Sequence, residues 1–390
     1  MKDSNKKLLK KRGKEIQVCT NCIYDLDVPG IFFDKNGVCN YCNQILELKS
    51  NYGTGKELGK EKLSNILIDI KRAGQKKKYD CIIGVSGGTD SSYLLYLAKK
   101  KWKLRPLAVH FDNTFNSSIA TMNIAKVLKI LDIDLYTYVV NNKEMDDIFR
   151  SFFKAGVPEI EASTDLALAE VMYRAANKYN ISYILEGHSF VEEGITPLNK
   201  NYFDGMYIKD IHKQFGTMKM QTYPLMTLSR FLYWTCFKKI KKIRPFWYIE
   251  YSKEEAQKFL KKNFKWKYYG GHHLENIMTS FYHKVYNPQK FNVDLRNNTL
   301  SAQVRSKKMS RTQAWKTYNK KITDTTELIE YFQKRLSIKN NEYNSIMNAR
   351  PKCWKDYKTY KKIFERMRLL FLFLSKRNLV PYSFYLKYCK

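Results

Sequence analysis

The stretch Tyr79–Ser92, Y-D-C-I-I-G-V-S-G-G-T-D-S-S, constrains the fold of this chain more than any other. An apolar run, Cys81–Val85, stops abruptly at Ser86-Gly87-Gly88. Thr89-Asp90-Ser91-Ser92 follow, and then apolar residues at helical spacing: Leu94, Leu95, Leu97 and Ala98. The expected order is strand, tight glycine turn, helix N-terminus. Glycines leave backbone N–H groups unshielded, and a helix start adds unpaired N–H groups and a positive dipole end. Together these make an anion cradle, for which phosphate is the favoured occupant. Competing phosphate motifs fail. The nearest Walker-type candidate, Gly53-Thr54-Gly55-Lys56-Glu57, lacks both the first glycine and the hydroxyl, and no G-x-G-x-x-G follows a strand. An ordinary βα turn with a Ser or Asp cap is the plain alternative. It leaves the coincidence of two glycines, two serines and one aspartate without a reason.

The order S-G-G-x-D-S resembles the pyrophosphate-binding loop of the PP-loop ATP pyrophosphatases, which split ATP into AMP and pyrophosphate. The resemblance implies that the backbone N–H groups of Gly87, Gly88, Thr89 and Asp90 hold pyrophosphate, that Ser86 and Ser91 add hydroxyl donors, and that Asp90 helps to hold Mg²⁺ or fixes the loop. Mg²⁺ would neutralise charge on the leaving pyrophosphate. Asp112-Asn113, at the next strand end, either faces the nucleotide or forms a simple turn.

A second signal lies near the N-terminus. Cys19-Thr20-Asn21-Cys22 and Cys39-Asn40-Tyr41-Cys42 give C-x2-C-x16-C-x2-C, a spacing that reads as a zinc site. Four thiolates complete a tetrahedral Zn²⁺ site with no open position, so the metal is expected to be structural. Ile31–Val38, with Asn36-Gly37 at its tip, reads as a hairpin between the pairs. Two disulfides or a redox pair are the alternatives, and nothing else suggests secretion. The remaining cysteines, Cys81, Cys236, Cys353 and Cys389, are isolated in sequence and expected to be inert.

At 390 residues the chain has room for a catalytic domain and a smaller one. Residues 1–15 are expected to be mobile, 1–50 to hold the four-Cys zinc ribbon, 51–78 a connecting helix, 79–225 the PP-loop domain, and 226–390 a mainly helical substrate or partner domain. From Tyr79 the pattern alternates strands (Cys81–Val85, Pro106–Phe111, Leu135–Val140, Tyr183–Leu185) with helices (Ser91–Lys101, Ser117–Leu131, Thr164–Tyr179). That alternation predicts an α/β fold with a parallel sheet covered on both faces. Ligands in such sheets bind beyond the carboxyl ends of strands, which marks Ser86, Asp112, Asn141 and Gly187-His188. Met1–Lys14 is polar and lysine-rich without an apolar signal core, and the later apolar runs are too short to span a bilayer, so a cytoplasmic location is expected. The formal net charge of +33 suggests nucleic acid, an anionic membrane surface or acidic substrates. Lysines recur in every region, alongside abundant Asn, Ile and Tyr, as an AT-rich genome would produce, so charge alone argues weakly for nucleic acid.

Two further islands sharpen the reading. One is Gly187-His188-Ser189-Phe190-Val191-Glu192-Glu193-Gly194-Ile195-Thr196-Pro197; the other is Tyr268-Tyr269-Gly270-Gly271-His272-His273-Leu274-Glu275-Asn276, followed by Asp294-Leu295-Arg296. Taken with the four-cysteine module and S-G-G-x-D-S, their order resembles the N-acetyl sugar amidotransferase family of bacterial surface-polysaccharide biosynthesis. The similarity runs from about Val18 to about Ala314. It departs from the family pattern at Ser189, where asparagine is expected, and at His272, where lysine is expected. The resemblance implies conversion of an acetamido group on a nucleotide-linked sugar to an acetamidino group. ATP would adenylate the amide oxygen, and ammonia from a separate HisH-like glutamine amidotransferase would displace AMP. It implies catalytic roles for Asp90, Glu193, His273 and Glu275, and substrate binding by His188, Glu193, His273, Asp294 and Arg296. No glutaminase module is visible, since the chain starts Met1-Lys2-Asp3 and Cys19 belongs to the zinc motif. Asn341–Lys390 falls outside the resemblance and reads as a packing element or a docking surface.

Two other readings compete. A tRNA-modifying PP-loop ligase or thiolase fits the zinc ribbon and the charge, but only Cys81 lies near the loop in sequence. A non-enzymatic zinc-ribbon protein with a degenerate loop is opposed by the intact Ser86-Gly87-Gly88 and Asp90-Ser91.

Overall fold

The apolar run that precedes the glycine loop becomes the central strand of a five-stranded parallel sheet. The computed structural model describes residues 8–11, 14–196, 198, 200–271, 274–323, 325–377, 379–380 and 382–389. In chain order the strands are β1 (Leu8–Lys11), β2 (Lys14–Gln17), β3 (Cys81–Gly84), β4 (Pro106–Asp112), β5 (Leu135–Val139), β6 (Tyr183–Leu185) and β7 (Lys241–Ile243). The pair β1 and β2 is antiparallel; the others form one sheet in the order β5-β4-β3-β6-β7. The chain leaves β3 toward β4 and β5, then returns to the other side of β3 with β6. The ends of β3 and β6 therefore flank the topological switch point, where open parallel sheets bind ligands.

Side-chain alternation assigns each face of the sheet. Ile82, Leu107, Val109 and Ile184 join one apolar cluster, while Cys81, Ile83, Ala108, Tyr183 and Leu185 join the other. Helices α5 (Asn142–Ala155) and α6 (Ala162–Lys178) cover the first face. The second is covered by α2 (Glu57–Ala73), α3 (Thr89–Tyr96), α4 (Ser118–Leu131) and the helix Lys253–Phe264. Two-sided burial is why β3 and β4 read as continuous apolar runs. Truncating Ile82, fully buried, to alanine is expected to cost roughly 2–5 kcal/mol.

The structure corrects three expectations. Residues 8–11 and 14–17 form the β1–β2 pair, where mobile chain was expected, and Lys11 ties it to Asp25 at 2.7 Å. The hairpin expected over Ile31–Val38 shrinks to one bridge, Phe33 to Cys39, closed by a turn in which Gly37 has φ +73°. Cys39 already caps helix α1 (Asn40–Tyr52), its Sγ accepting from the Cys42 N–H, so no second strand can extend. Finally, the sheet does not end before residue 226. β7 lies in the stretch read as helical and pairs in parallel with β6. With three residues, two of them lysine, it carries no apolar signal, as suits an edge strand.

Candidate active site

The loop after β3 takes a conformation that only its glycines permit. Gly87 has φ +77°, and a Cβ there would fall 2.2 Å from the Ala120 carbonyl oxygen. Its own carbonyl accepts from Trp266 Nε1 at 3.0 Å and Asn123 Nδ2 at 3.3 Å, which pins the turn from two sides. Gly88 is the N-cap of α3 and supplies no side-chain acceptor, so the first N–H groups of the helix stay directed at the loop. A Cβ at Gly88 would stand 3.0–3.2 Å from Ser86 Oγ, Glu275 Oε1 and Tyr269 OH. These three groups therefore rim the cradle that the sequence assigned to an anion.

Asp90, in the first turn of α3, is locked rather than free. Its carboxylate accepts from Lys253 Nζ at 2.7 Å and from the Tyr251 hydroxyl. Lys253 also lies 3.8 Å from Glu193, and Glu193 lies 3.5 Å from His188 Nε2. Trp247 Nε1 donates to His188 Nδ1 at 3.1 Å, so Nδ1 is the acceptor and the neutral ring carries its proton on Nε2, facing Glu193. Neighbouring carboxylates keep Lys253 protonated despite burial, raising its pKa well above that of a free lysine. One polar chain, Asp90–Lys253–Glu193–His188–Trp247, thus links the ends of β3 and β6.

Ser86 Oγ donates to Glu275 Oε1 at 3.2 Å. The segment holding Glu275 is fastened to the β4–α4 loop. Ser117 N–H donates to the Glu275 carbonyl at 2.9 Å, Ile277 N–H to the Phe115 carbonyl at 2.9 Å, and Asn276 Nδ2 to Asn113 Oδ1 at 2.9 Å.

Of the residues singled out from sequence, the structure gathers Ser86, Gly87, Gly88, Thr89, Asp90, Ser91, His188, Glu193 and Glu275 around one crevice. Others it does not. Asp112 Oδ1 accepts from Thr114 N–H at 2.8 Å and Asn116 Nδ2 at 2.9 Å, a turn that shapes the β4 end. Asp294 and Arg296 are engaged with each other and with a helix end, apart from the glycine loop. Arg296 grips Asp294 at 2.6–3.0 Å and donates to the carbonyls of Tyr318 and Lys320, closing the C-terminus of the helix Arg311–Asn319. Charge at a helix end explains that placement. His273 lies outside the described residues.

Sequence reasoning missed Tyr251, Lys253 and Trp266, and gave Tyr269, inside the second island, no role of its own. No spacing links Lys253 to Asp90, because the approach depends on the helix Lys253–Phe264 packing across α3. The one local cue was Ser252, which caps that helix through the Glu255 N–H. A cavity of about 290 Å³ lies elsewhere. Tyr173, Phe231, Phe364, Lys242, Arg244 and Lys387 are among its walls, and no residue of Ser86–Ser91 lines it.

The four N-terminal cysteines are buried, free of disulfides, and have sulfurs within 4.8 Å of one another. Cys19 Sγ lies 3.9 Å from Cys42 Sγ, and Cys22 Sγ lies 3.8 Å from Cys39 Sγ. A tetrahedron with Zn–S bonds of about 2.3 Å has edges of about 3.8 Å, so the set fits a single zinc ion. Backbone N–H groups of Asn21, Tyr24, Cys39 and Cys42 point at the sulfurs at 3.2–3.4 Å, the outer support a thiolate site needs. Arg311 donates to the carbonyls of Cys19 and Cys22 at 2.8 and 3.0 Å and so ties this module to the C-terminal region.

Residues 275–370 match the family described as LPS biosynthesis protein WbpG-like, C-terminal domain. The resemblance to a surface-polysaccharide family read from the motifs is met on that segment. The chain is 31% identical over 171 residues to an uncharacterized protein of Methanocaldococcus jannaschii, a match covering 44% of this chain and 58% of that protein. The match therefore spans less than two thirds of that relative. Among solved structures, the chain is similar to the NH3-dependent NAD synthetase from Campylobacter jejuni (TM-score 0.30, 12% identity, 75% of this chain and 97% of that one). It is also similar to the U34-tRNA thiolase NcsA from Methanococcus maripaludis (0.30, 13%, 83% and 98%) and to the NMN synthetase from Francisella tularensis (0.27, 17%, 57% and 92%). Among the described residues no helix is long and apolar enough to cross a membrane.

Proposed function

We propose that this chain is an ATP-dependent, AMP-forming amidotransferase. It converts the acetamido group of a nucleotide-linked N-acetyl sugar to an acetamidino group in surface-polysaccharide biosynthesis, with ammonia from a separate HisH-like glutaminase. The observation that carries this reading is the Ser86–Glu275 hydrogen bond, which joins the glycine loop to the start of the segment matched to an LPS-biosynthesis domain. One site then holds a group suited to pyrophosphate and a segment suited to the sugar.

In this reading the sugar amide oxygen attacks the α-phosphorus of ATP, forming a P–O bond as pyrophosphate leaves. Ammonia then adds to the imidate carbon, AMP departs with the former amide oxygen, and one proton is released. The loop N–H groups of Gly87–Asp90 receive the leaving pyrophosphate, with the Ser86 and Ser91 hydroxyls as further donors. Mg²⁺, when bound with ATP, supplies charge neutralisation at the phosphates. Lys253 fixes the Asp90 carboxylate at the loop, and Glu193 and Glu275 present acceptors from the facing segments. The four cysteines hold structural zinc and give it no open position.

An assay of AMP and pyrophosphate with ammonium tests the proposal, comparing nucleotide-activated N-acetyl sugars with bulk tRNA. Sugar-dependent AMP release supports it. Release only with tRNA moves the reading to RNA modification. Cys81, buried in β3, offers a sulfur-transfer chemistry little access, and burial raises its thiol pKa.

A further inference from the structure

We propose that the helix Arg368–Lys376 docks this protein on an anionic lipid surface. The helix, R-L-L-F-L-F-L-S-K, turns Phe371 and Leu374 into an aromatic cluster with Phe364, Phe384 and Phe231. Its other side leaves Leu369 75%, Phe373 51% and Leu370 38% exposed. A single exposed leucine is ordinary; three large apolar side chains on one short helix form a patch.

The charge around the patch has one sign. Arg366, Arg368, Lys376 and Arg377 are all exposed, and among the described residues none of them has an ion-pair partner. The nearby acid, Glu365, is taken by Lys361 at 3.2 Å. Arg377 lies over the Phe373 ring at 4.9 Å, its cation beside the apolar face. A second helix, Leu228–Leu232, continues through Tyr233–Phe237 and packs on the first through Phe231 and Phe371, whose rings stack at 6.2 Å. It exposes Phe237 (77%) and Tyr233 (43%) beside Lys238 and Lys239.

Apolar side chains ringed by cations, with the nearby acid Glu365 already paired, suit a helix lying in the plane of a membrane interface. The rings and leucines enter the acyl boundary while Lys and Arg meet lipid phosphates. At 9 residues the helix is too short to span, so it lies on the surface. The charge decides against a second copy of this chain, because the same face would meet its own four cations. The inference does not depend on the proposed reaction.

Flotation of the full chain with vesicles containing phosphatidylglycerol, against vesicles of phosphatidylcholine alone, tests it. The wild type is expected to float with the anionic vesicles, less as salt rises. Leu369→Glu with Phe373→Glu is expected to lower binding about tenfold or more. Lys376→Glu with Arg377→Glu, which leaves the apolar face intact, is expected to lower it about tenfold as well. Lys100→Glu with Lys101→Glu makes the same charge change elsewhere and is expected to have little effect. Equal binding to phosphatidylcholine, undiminished binding by the Leu369/Phe373 variant while its circular dichroism stays native, or an equal loss in the Lys100/Lys101 variant would each overturn the proposal. So would a wild-type dimer by light scattering that the Leu369/Phe373 variant turns into a monomer.

Discussion

Ser86 Oγ and Glu275 Oε1 lie 3.2 Å apart although 189 positions separate them in sequence. A carboxylate so close to an anion cradle repels phosphate unless a divalent cation lies between them. Glu275→Gln removes the charge and keeps an acceptor for Ser86. Without Mg²⁺ the variant is expected to bind pyrophosphate about tenfold more tightly than wild type, and with Mg²⁺ more weakly, each a difference of ~1.4 kcal/mol or more. Calorimetric titration in both conditions measures this. Unchanged affinity in both removes Glu275 from the pyrophosphate site.

Asp90 and Lys253 are the partly buried ion pair of the site, their side chains 16% and 17% exposed. Removing one partner leaves the other uncompensated, a loss of roughly 3–5 kcal/mol in buried pairs and less here, given residual solvent. Lys253→Met is therefore expected to lower the melting temperature more than Asp90→Asn with Lys253→Met. The double-mutant cycle is expected to show a coupling of about 1–3 kcal/mol. Additive effects in thermal unfolding would mean that the pair does not hold the loop.

The glycine loop was legible because its chemistry is local: strand, glycines and helix start adjoin in sequence, and backbone geometry does the rest. The same holds for the cysteine pairs, whose ligands sit on two short turns. The partners of the loop were not legible. Lys253 reaches Asp90, and Trp266 reaches the Gly87 carbonyl, only because the chain after β7 folds back over α3. That return depends on a strand with the sequence Lys-Lys-Ile, which has no apolar periodicity. Asp294 and Arg296 were ambiguous for the opposite reason. An acid and a base two residues apart suit ligand binding and helix capping equally, and in the structure Arg296 closes the helix ending at Asn319.

The cysteine cluster predicts one zinc per chain by elemental analysis, without the visible absorbance of an iron–sulfur cluster. Sulfurs 3.8–3.9 Å apart match the edges of a single-ion tetrahedron. Chelation, or Cys39→Ser, is expected to lower the melting temperature and to loosen the contact of Arg311 with the Cys19 and Cys22 carbonyls. Protease cleavage in the first fifty residues reads out that loosening. Metal content near zero in active protein would overturn the assignment.

Glu159 gives the chain a pH dependence of known sign. It is 1% exposed, accepts from Tyr202 N–H at 3.2 Å and Tyr207 OH at 2.9 Å, and burial pushes its pKa up to about 7 from 4.5. Tyr207, Tyr202 N–H and the nearby Lys387 cation favour the charged form, but desolvation outweighs them. The folded protein keeps a proton that the unfolded chain releases. The stability linked to that proton is whole below pH 4.5 and is lost as pH rises to about 7, a change of roughly 3 kcal/mol. Glu159→Gln, which stays neutral, escapes this loss. Relative to wild type the variant is expected to gain stability between pH 5 and pH 8 and to show little advantage at pH 4, measured by urea unfolding at each pH. A difference between variant and wild type that does not change with pH would show that Glu159 ionises alike in the folded and unfolded chains.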